Sequence, residues 1–278
     1  MTKYDIQNSV LEQDLKAGVF QFNPQFGNVE ANLDTIEDAL TDIDVDLIVL
    51  PELCTTGYQF TSCDEVEQLC ESIPDGPSIQ RFVNLCQKKQ MVVVAGIAES
   101  SNEGCYNSSV LIGPEGHIGT YRKVHLFNKE KTWFRSGNLG FPVWDIGIAR
   151  IGMMICFDWI FPEASRSIAL QGADILCHPA NLVLPHCPDA MITRSIENRI
   201  FTITANRIGS ESREAGESFH FIGQSQMTSP KGNLLFRMGE DETDVRTAEI
   251  DPKQARDKQI TDTNHIWEDR SPEMYIQD

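Results

Sequence analysis

Short apolar runs alternate along this chain with segments whose apolar positions recur at helical spacing. Gly18-Val19-Phe20-Gln21-Phe22, Leu47-Ile48-Val49-Leu50 and Met91–Ala98 read as strands. Between them, Leu33, Ile36, Ala39 and Leu40 predict a helix over Val29–Ile43, and a second helix lies near Ser78–Lys88. Asn107–Gly113 and His117–Tyr121 flank Pro114-Glu115-Gly116, which is a hairpin turn by composition. The second half repeats the plan. A strand over Ala149–Cys156 leads into a helical pattern reaching about Gln171, then come Asp174–His178, a helix over Asp189–Arg199, Ile200–Arg207, Phe221–Ser229 and Asp244–Ile250. Strands alternating with helices predict a layered α/β fold. Two such halves suggest two sheets face to face, although the pattern alone also allows one doubly wound sheet.

Composition narrows the picture. At 278 residues and 41% hydrophobic, with no Pro/Gly/Ser-rich linker and no low-complexity run, one domain is expected. The formal net charge of −18 argues against nucleic acid, because the 23 Lys and Arg are scattered among 41 acids. No apolar stretch is long enough to span a bilayer, and Met1–Lys16 is too polar for a signal peptide, so a cytoplasmic protein without a membrane partner is expected. The eight cysteines form no C-x-x-C pair, and His178 and His186 beside Cys177 and Cys187 fit no common zinc spacing. Neither a disulfide framework nor a metal is expected, and no cofactor.

Chemistry concentrates at three strand ends. Ile151-Gly152-Met153-Met154-Ile155 is a core strand, and Cys156 stands at the bend between it and the helical pattern that follows. A thiol there is expected to be exposed at the sheet edge near backbone N–H groups, a setting that favours thiolate and can hold an oxyanion. The strand Leu47–Leu50 ends at Pro51, and Glu52 follows at once, where ligands sit in open α/β sheets. The strand His117–Tyr121 delivers Lys123 just before a loop. An acid, a cation and a thiol at strand ends meet the requirements of acyl transfer.

Three stretches carry a resemblance. Pro51-Glu52-Leu53 with Thr56-Gly57-Tyr58, Tyr121-Arg122-Lys123-Val124-His125-Leu126-Phe127, and Gly152-Met153-Met154-Ile155-Cys156-Phe157-Asp158 with Pro162-Glu163 are similar to the motifs of the nitrilase superfamily of carbon–nitrogen hydrolases. His178-Pro179-Ala180-Asn181 and Glu197-Asn198-Arg199 extend the likeness over about Ala17 to Tyr275. The resemblance implies a four-layer αββα sandwich, with two mixed sheets face to face and helices outside. It divides the chain into a loose extension over 1–16, a hydrolase domain over 17–250, and a tail over 251–278 that clasps a second subunit in a homodimer or higher homo-oligomer. Ile260, Ile266, Trp267 and Tyr275 are the tail's isolated apolar anchors.

Hydrolysis through a thioester needs a thiolate, a base and a holder for the oxyanion. Cys156 is the nucleophile in this reading. Glu52 is the base, with its pKa raised by burial beside another acid. Lys123 is a fixed positive charge on the oxyanion, helped by the backbone N–H of Phe157. The family places a second acid between the lysine and the cysteine, and Glu130 keeps the spacing to Phe134, although Ser136 and Asn138 stand where the family tends to have Pro and Asp. His125 is expected to be a structural hydrogen-bonder, and Asp158 and Glu163 to cap a helix start or pair with Arg166. Tyr58, Trp159 and Asn181 are expected to line the pocket.

The implied reaction is hydrolysis of an amide or N-carbamoyl compound to acid plus ammonia or amine. A nitrilase converting a nitrile to acid needs the same residues, and a non-catalytic member would normally have lost one. Arg135, Arg194 and Arg207 are each arguable as a carboxylate-binding group on the substrate.

Overall fold

Side chains along the first strand of the computed structural model, which describes residues 14–275, alternate between two cores. On β1 (Leu15–Gln21), Ala17 and Val19 join one cluster with Leu47, Val49, Val94 and Leu111. Phe20 joins another with Ile48, Leu50, Val93 and Val110. Successive strand residues point to opposite faces, so a strand apolar at every position must be covered on both sides.

The order continues α1 (Val29–Leu40), β2 (Leu47–Val49), α2 (Cys63–Leu69), β3 (Glu71–Ser72), α3 (Pro77–Lys89), β4 (Val92–Ser101), β5 (Gly104–Gly113), β6 (Gly116–Arg122) and α4 (Glu130–Trp133). Then come β7 (Val143–Asp145), β8 (Arg150–Met153), α5 (Pro162–Leu170), β9 (Ile175–Ala180), α6 (Cys187–Asn198) and β10 (Phe201–Asn206). Next are β11 (Ser210–Glu214), β12 (Glu217–His220), β13 (Gln226–Thr228), β14 (Leu234–Arg237) and β15 (Asp244–Ile250), and the tail adds a short hairpin of β16 (Gln259–Thr261) and β17 (Asn264–His265). One sheet has the order β15-β1-β2-β4-β5-β6, with β3 beside β4, and the other β14-β13-β10-β9-β8-β7. Each has a parallel centre and antiparallel flanks. Leu33, Ile36, Ile79 and Phe82 of α1 and α3 cover the first sheet, while Ile168 and Met191 bring α5 and α6 onto the second. The inner faces pack through β1 on β10 and β4 on β9, which makes the four-layer αββα sandwich.

Several details differ from the pattern. The strand over Phe221–Ser229 shortens to β13, and α1 stops at Leu40. The helix α2 was not predicted because Val66 is its only buried residue, so no apolar stripe marks it. Its start is set by Ser62, whose hydroxyl accepts the N–H of Glu65 at 3.2 Å.

At the N-terminus, Leu15 and Lys16 pair with Ile250 and Glu249, so the sheet begins two residues before the 1–16 boundary, whose residues 1–13 lie outside the described residues. The tail lies on its own chain. Arg256 pairs with Asp174 at 2.9 Å, and the Lys258 ammonium caps the end of α6 by donating to the carbonyls of Asn198 and Arg199 at 3.0 and 2.8 Å. Trp267 packs against the main core with Arg166 and Lys258 over its ring. A polar segment with no core of its own thus uses one already built. Ile260 and Tyr275 remain about half exposed.

Candidate active site

The thiol stands on a strained bend. β8 ends at Met153, and Cys156 opens a 3₁₀ turn over Cys156–Ile160 with φ of +39°, a left-handed value that a non-glycine residue adopts only when its surroundings hold it there. Two groups hold it. The Asp158 carboxylate accepts the backbone N–H of Ile155 at 2.8 Å, the Tyr121 hydroxyl at 2.7 Å, and both the N–H and Nδ1 of His125, at 3.2 and 2.7 Å. Behind the bend, His178 Nε2 donates to the Cys156 carbonyl at 2.9 Å, and burial pulls this imidazole down to about 4, so it stays neutral. Asp158 therefore caps the turn as expected. Arg166 is not its partner; that guanidinium reaches the Glu197 carbonyl instead.

Glu52 is brought in by a close approach of backbones. Pro51–Leu53 lies directly against Gly96 of β4, where a Cβ would come within 2.4 Å of the Glu52 Cα and 2.5 Å of the Leu53 nitrogen. Gly96 donates to the Pro51 carbonyl and its own carbonyl accepts from Cys54. Only glycine permits that contact. Lys123 follows β6, its N–H bonded to the Asn107 carbonyl and its own carbonyl accepting from Gly137. The turn that departs from the family's pattern is thereby docked, because Ser136 Oγ also donates to the Val124 carbonyl at 2.7 Å.

These strand ends converge on one charged cluster sealed from solvent. Lys123 Nζ donates to Glu52 Oε1 at 2.6 Å and lies 2.7 Å from Glu130 Oε2. Asn107 Nδ2 donates to the same Glu52 oxygen at 2.7 Å, and Glu52 Oε2 is buried without a partner among the described residues. The Tyr58 hydroxyl donates to Glu130 Oε1 at 2.8 Å. Tyr58 is thus a partner of the second acid; it does not line the pocket beside Cys156 but a separate recess with Glu130 and Trp133. Burial pushes Glu130 up to about 7; the Lys123 charge opposes this and the Glu52 charge adds to it. Burial pulls Lys123 down, but Glu130 and Glu52 outweigh it and lift the ammonium above its ordinary value.

Cys156 shares this environment, with one correction. The thiol is buried rather than exposed, and its pKa is raised: burial comes first, then Glu52, against an opposing pull from Lys123. Burial and the neighbouring acids thus favour the neutral thiol in the resting site. The raised acid beside the base is Glu130. Beside Cys156, Phe127, Phe157, Trp159, Asn181, Leu182, Val183 and Leu184 line a narrow pocket. Both polar atoms of the buried Asn181 side chain lack partners among the described residues. Arg135, Arg194 and Arg207 do not line this pocket: Arg194 holds the Trp159 carbonyl and Glu197, and Arg207 is spent on Glu211, Asn23 and Pro24.

Sequence reasoning missed Asn107 and the part played by His178. Nothing in the local sequence marks Asn107, since its role exists only because β5 lies beside β4. His178 stands in a quoted motif, but its partner is a carbonyl 22 residues away.

The chain matches the carbon-nitrogen hydrolase family over residues 16–259. It is 42% identical over 265 residues to a protein from Pyrococcus abyssi named nitrilase, covering 94% of this chain and 99% of that one. It is 32% identical over 251 residues to the N-carbamoylputrescine amidase of Solanum lycopersicum, covering 82% of each. Among solved structures, it superposes on a carbon–nitrogen hydrolase from Helicobacter pylori with a TM-score of 0.82 at 26% identity, covering 95% of this chain and 97% of that one.

Proposed function

The chain belongs to the carbon–nitrogen hydrolase family and is an enzyme of that class, and from that premise we propose a residue-level mechanism and a substrate class. Cys156 is the nucleophile. Glu52 takes its proton through Oε2, the oxygen left without a partner while Lys123 and Asn107 hold Oε1. That half-occupied carboxylate is the observation that carries the reading. The thiolate attacks the substrate carbon, and the oxyanion meets Lys123 and the backbone N–H of Phe157. An ammonium has three donors; with one given to Glu52 and one to Glu130, the third serves the oxyanion. Glu52 returns the proton to the departing nitrogen. Water, deprotonated by Glu52, then cleaves the thioester to the acid. Glu130 keeps Lys123 charged and oriented.

The acyl group is proposed to be small and uncharged, because the walls beside Cys156 are Phe127, Phe157, Trp159, Leu182, Val183 and Leu184. The unpartnered Asn181 amide suits a substrate amide or carbamoyl group, which both donates and accepts. Nitriles form a second class, favoured by the name of the 42% identical relative. Ammonia release across short aliphatic amides, N-carbamoyl compounds, dicarboxylic monoamides and nitriles tests this. Preference for a dicarboxylic monoamide would refute the uncharged acyl group.

We further propose a homodimer, supported by exposed Leu170, Ile196, Ile260 and Tyr275 on α5, α6 and the tail. A cytoplasmic setting is supported by eight cysteines that are all free thiols.

A further inference from the structure

We infer that Glu211 and Arg207 are positioning residues for hydrolysis, acting on Glu130 through Tyr58. This rests on the reading of Glu130 given above. The Glu211 carboxylate, on β11, accepts the backbone N–H groups of Tyr58 at 3.2 Å and Gln59 at 2.6 Å. At the other end of the same residue, the Tyr58 hydroxyl donates to Glu130 Oε1 at 2.8 Å. Phe219 and Phe221 meet the Tyr58 ring edge-on, with centroids 5.6 and 5.9 Å away, so backbone and ring are both fixed. Neighbouring Gly57 lies so close that a Cβ there would come 3.0 Å from Glu211 Oε1.

Glu211 is itself held. Arg207 pairs with it, and is fully buried. Its Nη2 reaches Asn23 Oδ1 at 2.7 Å and the Pro24 carbonyl at 3.1 Å, its Nε donates to the Ile208 carbonyl at 3.3 Å, and the Phe221 ring lies 4.0 Å beneath its guanidinium. A buried ion pair gives little net stability over apolar side chains of the same volume, but it fixes geometry when every donor is used. Here two of the contacts, Glu211 and Phe221, lead to Tyr58, and the others anchor the guanidinium to Asn23, Pro24 and Ile208.

The charged and titratable groups facing Glu130 are Lys123, Glu52, the Tyr58 hydroxyl and the Cys156 thiol. From the β11–β12 hairpin, Glu214 and Glu217 are occupied by Lys129. Tyr58 donates to the ionised form of Glu130, so a displaced Tyr58 makes that carboxyl harder to ionise.

The test compares Y58F, E211Q and the double variant by their pH–rate profiles, with E130Q as a control for the underlying reading. E211Q cannot pair with Arg207 and accepts fewer N–H groups. Its kcat should fall about tenfold, with KM changed less than about twofold and the acidic limb moved up by about one pH unit. Y58F should show the same shift, and Y58F/E211Q should be no worse than Y58F. An unchanged limb in E211Q, or losses that add in the double variant, would overturn the proposal. Should E211Q not fold, E211D and R207K are read the same way, and an unmoved limb in both overturns it equally. If E130Q keeps its rate and limb, the reading of Glu130 fails. If E130Q loses the limb while E211Q keeps it, only the positioning role fails.

Discussion

Lys123 Nζ stands 2.6 Å from Glu52 Oε1, and both side chains are completely buried. Two carboxylates around one ammonium leave the cluster short of positive charge, so removing the ammonium exposes both acids to each other in a dry site. Lys123→Ala should lower kcat by about 10²–10³ with little change in KM. It should also cost about 3–5 kcal/mol of stability, since a buried charge is left unpaired. Steady-state kinetics and urea unfolding measure the two losses, and a near-normal kcat would show that another group holds the oxyanion.

Cys156→Ala should abolish turnover and leave the fold intact, and wild type with substrate should carry an acyl adduct on the Cys156 peptide by mass spectrometry. Iodoacetamide gives a second check. The sequence alone makes Cys156 the fastest thiol to alkylate, but its buried, raised state predicts that exposed Cys63 is labelled first. Activity should therefore lag behind total labelling and fall only as Cys156 reacts. Loss of activity with Cys156 unmodified would place the nucleophile elsewhere.

The Glu130 carboxyl, raised to about 7, sets a pH dependence. The ionised form holds Lys123, so kcat/KM should rise through about pH 7, and Glu130→Gln should abolish that limb. The stability sign is opposite. A folded pKa above the unfolded 4.5 means the native state holds the proton more tightly. The contribution is complete below 4.5 and is lost as pH rises through about 7. Glu130→Gln should therefore gain stability relative to wild type on going from pH 4 to pH 8. A constant difference across that range would refute the assignment.

Gly96→Ala should damage the site from β4 without replacing a charged residue. Its Cβ would fall 2.4 Å from the Glu52 Cα, against backbone that cannot rotate away. A destabilisation of about 1–3 kcal/mol is expected, with a kcat loss that outlasts correction for unfolded protein. Thermal unfolding and active-site titration separate the two, and a fully active variant would show that Glu52 tolerates the shift.

Sedimentation at micromolar concentration should give more than one 31.2 kDa unit. Truncation after Asp251 should weaken association and also lower the melting temperature, since it removes the Lys258 cap on α6 and uncovers the core under Trp267. Undiminished dimerisation of the truncated chain would locate the interface on the sandwich helices.

Sequence by itself determined the alternation of strands and helices and the strand ends that carry Glu52, Lys123 and Cys156, and Glu130 followed from the family resemblance those motifs carry. Those features are local: apolar period, turn residues and motif order are written in consecutive positions. Tertiary structure decided the rest. Whether two half-chains made one sheet or two depended on what covers each face, and Val19 settles it by sharing a core with Ile203 of the second sheet, where β1 packs on β10, while Phe20 faces α1 and α3. Cys156 looked like a reactive thiol because a helix start and a lysine are visible along the chain. Its raised pKa follows first from burial and then from two carboxylates that fold in from 104 and 26 residues away, counting back from 156 to 52 and 130. Asn107 on Glu52 and Glu211 behind Tyr58 are likewise pairings across strands and loops. Electrostatic state is a sum over neighbours in space, and those neighbours are fixed only when the sheets close.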